Sequence, residues 1–285
     1  NLSFGEDSGG AAGNEQFLGS ADELLVLGRA LGAHEVAAIA ASGVRANVVP
    51  GAGERAILYD FEGDSTVTFT DKLSSDGAQH GLVHNNARVD EAPDNARFGV
   101  RSAVLSAPLL SSPFNAIDVG PVGNLGSEFT MAAAVRVPGG GQTAGGLTRL
   151  FSTYSGSGSA AGRLIFDFDP GASVSGIGLR LLLPDGTEVS SDATFSVNTR
   201  HHLAAVYDSG AITLYLDGSA VASGATSGAV DLGAFPLHIG EDLDGPVNEQ
   251  FVGALDDVLV LNRALSDTEL QQLAKHGAVS ELNLA

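Results

Sequence analysis

Hydrophobic and polar residues alternate along most of this chain. In residues 56–63, Ile57, Tyr59 and Phe61 fall on one side and Leu58, Asp60 and Glu62 on the other. That is the period of a half-buried strand. The β-branched run 66–70 predicts a second strand, and the pattern resumes at 100–110, 129–137, 149–154, 163–168 and 178–183. Further strands are expected at 194–197, 201–207, 211–216, 219–223, 235–239 and 251–261. Turn residues separate them: Pro138 with Gly139, Gly140 and Gly141, then Pro184-Asp185-Gly186, then Asp217-Gly218. Residues 71–95 form a long polar stretch. Within the body of the chain, helical spacing is convincing only at 266–276. There Ser266 stands as N-cap and Glu269 follows three residues on, the pattern of a capping box. Many short strands at regular spacing predict an all-β fold, a two-sheet antiparallel sandwich with one short C-terminal helix.

The end of the chain is also written near its start. Asn14-Glu15-Gln16-Phe17-Leu18-Gly19 corresponds to Asn248-Glu249-Gln250-Phe251-Val252-Gly253, and the match continues to Arg29-Ala30-Leu31 and Arg263-Ala264-Leu265. Upstream, Phe4-Gly5-Glu6-Asp7 echoes Ile239-Gly240-Glu241-Asp242, and downstream residues 32–43 parallel 266–277. Residues 1–43 therefore read as strand, loop, strand and helix. Residues 17–27 are the apolar strand, Val36 and Ile39 sit at helical spacing, and Gly43 stands as a C-cap. No counterpart of the long stretch between the copies precedes the first one. The expected organisation is a partial repeat at 1–43, a linker at 44–54, a complete domain at 55–278 and a tail at 279–285. A strand and a short helix alone bury too little surface to be stable. Residues 1–43 thus need a partner, with Phe17, Leu18, Leu24, Leu25, Val26 and Leu27 as the assembly residues. That partner is the complete domain of the same chain, a sheet edge of a neighbouring molecule, or the next unit of a tandem array.

Composition narrows the function classes. Acidic residues number 34 against 14 basic ones, a net charge of -20 in a chain of 285 residues. Nucleic acid and anionic membrane surfaces are disfavoured by such a field. Divalent cations are favoured. Cysteine is absent, which excludes disulfides, thiolate catalysis and cysteine zinc sites. No apolar run is long enough to span a bilayer, so no membrane insertion is expected.

The order of motifs in the body resembles a known family. Leu203-Ala204-Ala205-Val206-Tyr207-Asp208 is followed by Ile212-Thr213-Leu214-Tyr215-Leu216-Asp217-Gly218 and by Leu237-His238-Ile239-Gly240. Then come residues 251–258 and Asn262-Arg263-Ala264-Leu265-Ser266. With Tyr59-Asp60-Phe61-Glu62-Gly63, Phe98-Gly99 and Phe129-Thr130-Met131, this order resembles the laminin-G-like, concanavalin A-type jelly roll over residues 55–277. Residues 2–43 resemble the last third of a preceding copy. The resemblance implies a fold more than a task, since its members include glycan-binding modules, adhesive repeats, structural domains and, more distantly, glycosidases. The family usually places a tryptophan in the Phe129 strand and another just before His202. Here those places hold Ala and Arg or Thr.

By the same resemblance, one Ca²⁺ is expected where the first and last strands meet, with Asp60, Glu62, Asp64, Asp256 and Asp257 as its carboxylates. Oxygen donors of that kind are what Ca²⁺ takes. Glycosidase relatives carry Glu-x-Asp-x-x-Glu on one strand. The nearest pairs here, Asp167 with Asp169 and Asp256 with Asp257, do not fit it. Asp167 and Asp169 are expected to share a strand face, solvated and non-catalytic, and to contribute with Tyr154 to any saccharide surface. His201 and His202 are sent to opposite faces by alternation, and with His80 and His84 they lack the further ligands of a zinc site. The expected function is a non-catalytic, extracellular or cell-surface adhesion or binding module. It is stabilised by Ca²⁺ and meets a glycan or a protein. The alternatives are a structural subunit of a fibre or array joined through 1–43 and, more remotely, a glycoside hydrolase.

Overall fold

The computed structural model describes residues 56–59, 68–69, 81–83, 88–90, 102–105, 116–139, 148–153, 164–169, 176–226, 230–232, 235–240 and 250–277. Two antiparallel sheets stack face to face. Across the first run β15 (Ser219–Ala225), β14 (Ala211–Leu216), β13 (Arg200–Asp208), β8 (Glu128–Arg136), β18 (Gly253–Leu261), β5 (Ser102–Leu105) and β4 (Arg88–Asp90). The remaining strand of this sheet, β1 (Ala56–Tyr59), also pairs with β18. The second sheet runs β12 (Glu188–Ser191), β11 (Leu179–Leu182), β10 (Ile165–Phe168), β9 (Thr148–Ser152), β17 (Pro236–Ile239), β6 (Ile117–Pro121), β3 (Gly81–Val83) and β2 (Thr68–Phe69). A small ribbon pairs β7 (Asn124–Gly126) with β16 (Val230–Asp231). This is the jelly-roll sandwich expected.

Alternation decides which side chains meet between the sheets. Phe129, Met131, Ala133 and Val135 of β8 face Phe166 and Phe168 of β10 and Leu179 and Leu181 of β11 in one continuous core. Phe129 stacks on Tyr207 at 5.2 Å between ring centroids, and Phe168 meets Phe251 edge-on at 5.9 Å. Each fully buried side chain of this size contributes about 1.5–3 kcal/mol.

On the outer face of the first sheet the opposite parity is also apolar: Ala132, Ala204, Val206, Leu259 and Leu261. These residues form a second core with Leu270 and Leu273 of α1 (Asp267–His276). The helix is capped as expected. The Ser266 hydroxyl accepts from the Glu269 N–H, and the Ser266 N–H donates to the Glu269 carboxylate at 2.8 Å. Sandwiched this way, β18 is buried at all nine positions. At one margin the two sheets close on each other. The Ser191 hydroxyl of β12 donates to the Val221 carbonyl of β15, and Thr187 bonds Thr226 at 2.9 Å.

Two expectations are corrected, and one strand is found where none was expected. Residues 194–197 are not a strand; β12 at Glu188–Ser191 takes that place. The Pro184-Asp185-Gly186 turn returns the chain at once, with Gly186 N–H to the Leu183 carbonyl, so pairing begins at Glu188 opposite Leu182. Phe195 instead packs its ring on the core beside Phe168 at 5.7 Å. Residues 71–95 are not wholly loop, since β3 and β4 lie within them. Residues 117–121, for which no element was expected, form β6 against β17, with Asp118 and Gly120 tightened by a side-chain bond of 2.8 Å.

Candidate functional site

The outer face of the second sheet carries charge where alternation exposes it. Phe166 and Phe168 point inward, so Asp167 between them points outward. The register sets Arg149 of β9 and Arg180 of β11 directly across from it. Arg180 binds the Asp167 carboxylate with both Nε, at 3.0 Å, and Nη2, at 2.7 Å. Arg149 donates to the same carboxylate from Nη1. Glu188 of β12 lies 3.6 Å from the third nitrogen of Arg180. Of these groups, Asp167 has no exposure and Arg149 almost none, while Arg180 is 19% exposed and Glu188 41%. The expectation of a solvated Asp167 is therefore corrected. Its charge is held under two guanidiniums, and a fork pairing of this type fixes the arginine plane as well as its charge.

A second row crosses the same face. The pairs Asp118 with His238, His238 with Ser152, Ser152 with Ile165, Ile165 with Leu182, and Leu182 with Glu188 lie side by side. His238 Nε2 stands 3.7 Å from the Asp118 carboxylate. Arg149, Arg180, Glu188, Asp118 and His238 were missed by sequence reasoning. Alternation around Asp167 signals an outward strand face, but only the register identifies what stands beside it. Asp169, likewise expected to be solvated, is instead buried just past β10, with its backbone N–H on the Gly178 carbonyl. Tyr154 lies outside the described residues.

The implied cation position is the junction of β1 with β18. β1 pairs with residues 258–261 of β18 and β5 with residues 253–255, both on the edge that β8 does not use. Between these two pairings β18 bulges. The register to β8 shifts between Asp256 and Leu259, and Asp257 takes φ 45°. A bulge leaves one residue outside the ladder and re-aims its side chain. Asp256 and Asp257 are both buried there, and an Asp256 oxygen accepts from the Asp257 N–H at 2.9 Å. Ser102, one residue before the Ala103–Leu255 pair, shares the outer face with Asp256. Its hydroxyl is buried and has no partner among the described residues. Two carboxylates and an orphaned hydroxyl are hard oxygen donors and fit Ca²⁺ in kind. Among the described residues no three acidic or imidazole groups converge. Asp60, Glu62 and Asp64 lie outside the described residues, as do His80, His84 and residues 17–27.

The two adjacent histidines separate as expected. His201 sits against Phe195 at 5.0 Å with Nδ1 2.6 Å from Asp217, while His202 is buried and gives its backbone N–H to the other Asp217 oxygen. The Asp217-Gly218 turn thereby ties β14 to β13.

A family model described as the concanavalin A-like lectin/glucanases superfamily matches residues 113–271. No curated protein sequence matches. Among solved structures, domain 4 of AbnA, a GH43 extracellular arabinanase from Geobacillus stearothermophilus, in complex with arabinotriose, is similar. It superposes with a TM-score of 0.57 at 16% identity, over 76% of this chain and 97% of that one. The binding domain of Paraclostridial Mosquitocidal Protein 1 gives 0.55 at 17% identity, over 76% of this chain and 51% of that one. A sialidase of Trypanosoma rangeli gives 0.53 at 15% identity over 79% of this chain, which spans only 33% of the sialidase. At these identities the likeness is one of fold.

Proposed function

This chain belongs to the concanavalin A-like lectin/glucanases superfamily, and from that premise we propose that it is a non-catalytic saccharide-binding module. The observation that carries the reading is the charged ladder across the second sheet. Asp167 holds the Arg180 guanidinium through both Nε and Nη2, and Arg180 with Glu188 presents a donor beside an acceptor at the exposed end. Adjacent donor and acceptor groups held rigid are what sugar hydroxyls pair with, and pre-ordering them lowers the entropy lost on binding. The ladder balances two arginines against two carboxylates, which suits a neutral saccharide. The complex of the similar arabinanase domain with arabinotriose makes arabino-oligosaccharides the first probe.

The non-catalytic reading is supported by Asp167 itself. A glycosidase needs a carboxylate free to reach the anomeric carbon or its oxygen. The Asp167 carboxylate is enclosed and bonded to both arginines. Ca²⁺ at Asp256 and Asp257, with Asp60, Glu62 and Asp64, belongs to the same reading as a stabilising ion, as does an extracellular setting for a chain of charge -20. Association with other copies or neighbouring repeats through 1–43 is the second reading, favoured by the duplicated closing sequence.

Isothermal titration with neutral and acidic oligosaccharides tests the main reading. Neutral sugars are expected to bind, and Arg180→Gln to weaken them roughly 10–100-fold, the worth of one charged hydrogen bond. Absence of binding to any saccharide would sink it, as would release of reducing ends on incubation.

A further inference from the structure

Like charges meet at both ends of the β8–β13 pair. At one end Glu128 stands directly opposite Asp208, and at the other Arg136 stands directly opposite Arg200. All four share the parity of Ala132 and Ala204, so they belong to the outer face of the first sheet. Directly opposed residues hold their Cβ atoms about 4.5–5.5 Å apart, and like charges so placed weaken the pairing. The two acids are exposed, and water and salt screen them. The two arginines are only half-exposed, so more of their repulsion survives. Acidic residues outnumber basic ones 34 to 14 in this chain, so an arginine facing an arginine is the less expected pairing.

The surroundings hold the pair in place. Beyond it, the Asn198 N–H donates to the Val137 carbonyl at 2.6 Å, and the Gly139 N–H to the Asn198 side chain at 3.0 Å. This stitching ties the strand ends, so the arginines cannot relieve their repulsion by fraying. The row continues from Arg136 to Ala254 of β18 and Val104 of β5, a short, apolar floor beside the guanidinium. By register, Arg88 of β4 stands at the far end of that row. On the next row Asp256 stands opposite Ala134, and one of its oxygens accepts from the Asp257 N–H.

We propose that Arg136 and Arg200 form a clamp for a single oxyanion, the carboxylate or sulfate group of an acidic sugar. An anion seated between two guanidiniums turns one repulsion into two attractions. Each guanidinium presents five N–H donors in a planar fork, so an internal bond to either leaves donors for a ligand. The fork matches the paired oxygens of a carboxylate or sulfate. The net charge of -20 limits the ligand's size. A long polyanion would be repelled over the rest of the surface, whereas one acidic group on the pair is held locally. The clamp lies on the other sheet from the Asp167 ladder and does not depend on saccharide binding there.

Isothermal titration and calorimetric melts of the full chain at low ionic strength test the clamp, with methyl glucuronide and glucose 6-sulfate as probes. At least one is expected to bind, and the tighter of the two names the source of the oxyanion. Arg136→Gln and Arg200→Gln should each weaken that probe roughly 10–100-fold, the worth of one charged hydrogen bond. The bound probe should also raise the melting temperature of the parent chain and leave that of the double variant unchanged. The clamp is overturned if neither probe binds, or if the double variant binds them as the parent does. An equal rise in both melts would mean ionic screening alone and would overturn it as well.

Discussion

Two guanidiniums converge on the Asp167 carboxylate, and removing its charge leaves both beside an amide that cannot neutralise them. Breaking a buried ion pair from one side costs about 3–5 kcal/mol. Asp167→Asn should therefore lower the melting temperature markedly by calorimetry. Replacing Arg149 and Asp167 together by Met and Leu should recover much of the loss, since the desolvation cost goes with the charge. Equal melts for Asp167→Asn and the parent chain would mean that water, not protein, pairs these groups. Gly178 shows a second residue-scale constraint. It donates its N–H to the Ser191 carbonyl, and a Cβ on it would overlap the Ala193 carbonyl oxygen. Gly178→Ala must shift backbone, and a destabilisation of roughly 1–3 kcal/mol is expected in urea titration.

The helix is the element whose stability is most open to electrostatic test. Burial raises the Glu269 pKa, but hydrogen bonds from the Ser266 N–H and from Arg263 outweigh this and hold it below the usual glutamate value. A folded pKa lower than the unfolded one adds stability above the unfolded value, and that stability is lost as pH falls through the folded one. Glu269→Gln should therefore flatten the acid limb of stability below about pH 4.5 and leave its alkaline limb unchanged. Ser266→Ala, which removes the other half of the box, should cost about 1 kcal/mol. Tyr215 behaves in the opposite sense. Burial first, and then its 2.6 Å bond to Asp267, push its hydroxyl up to about 12. Its contribution is complete below pH 10 and is lost as pH rises toward 12. Tyr215→Phe should remove part of the alkaline loss in melts taken across that range.

At the scale of the whole molecule, β18 joins three strands, one outer helix and both cores. A cation at its bulge would brace the meeting of the first and last strands. Excess chelator should therefore lower the melting temperature and Ca²⁺ restore it; an unchanged melt removes the ion from the account. Much of this architecture was legible in advance. The runs 129–137, 201–207, 211–216 and 251–261 became β8, β13, β14 and β18, and the Ser266–Glu269 signal marked the helix start. In each case period and capping are local properties, carried by residues a few places apart. The charged ladder was not legible. Arg149 and Asp167 are 18 residues apart, and nothing in either segment names the other. β12 was misplaced for a related reason: 188–191 and 194–197 are both plausible strands, and only pairing across the turn chooses between them. The sequence by itself determined the fold class, the opposite facing of His201 and His202, the capped helix and the repeated closing sequence. The tertiary structure alone decided which strands became neighbours, that Asp167 lies between two arginines and that two acids share a buried bulge. Alternation specifies a face for each residue. Strand pairing over long separations specifies its company, and that choice depends on the whole core at once.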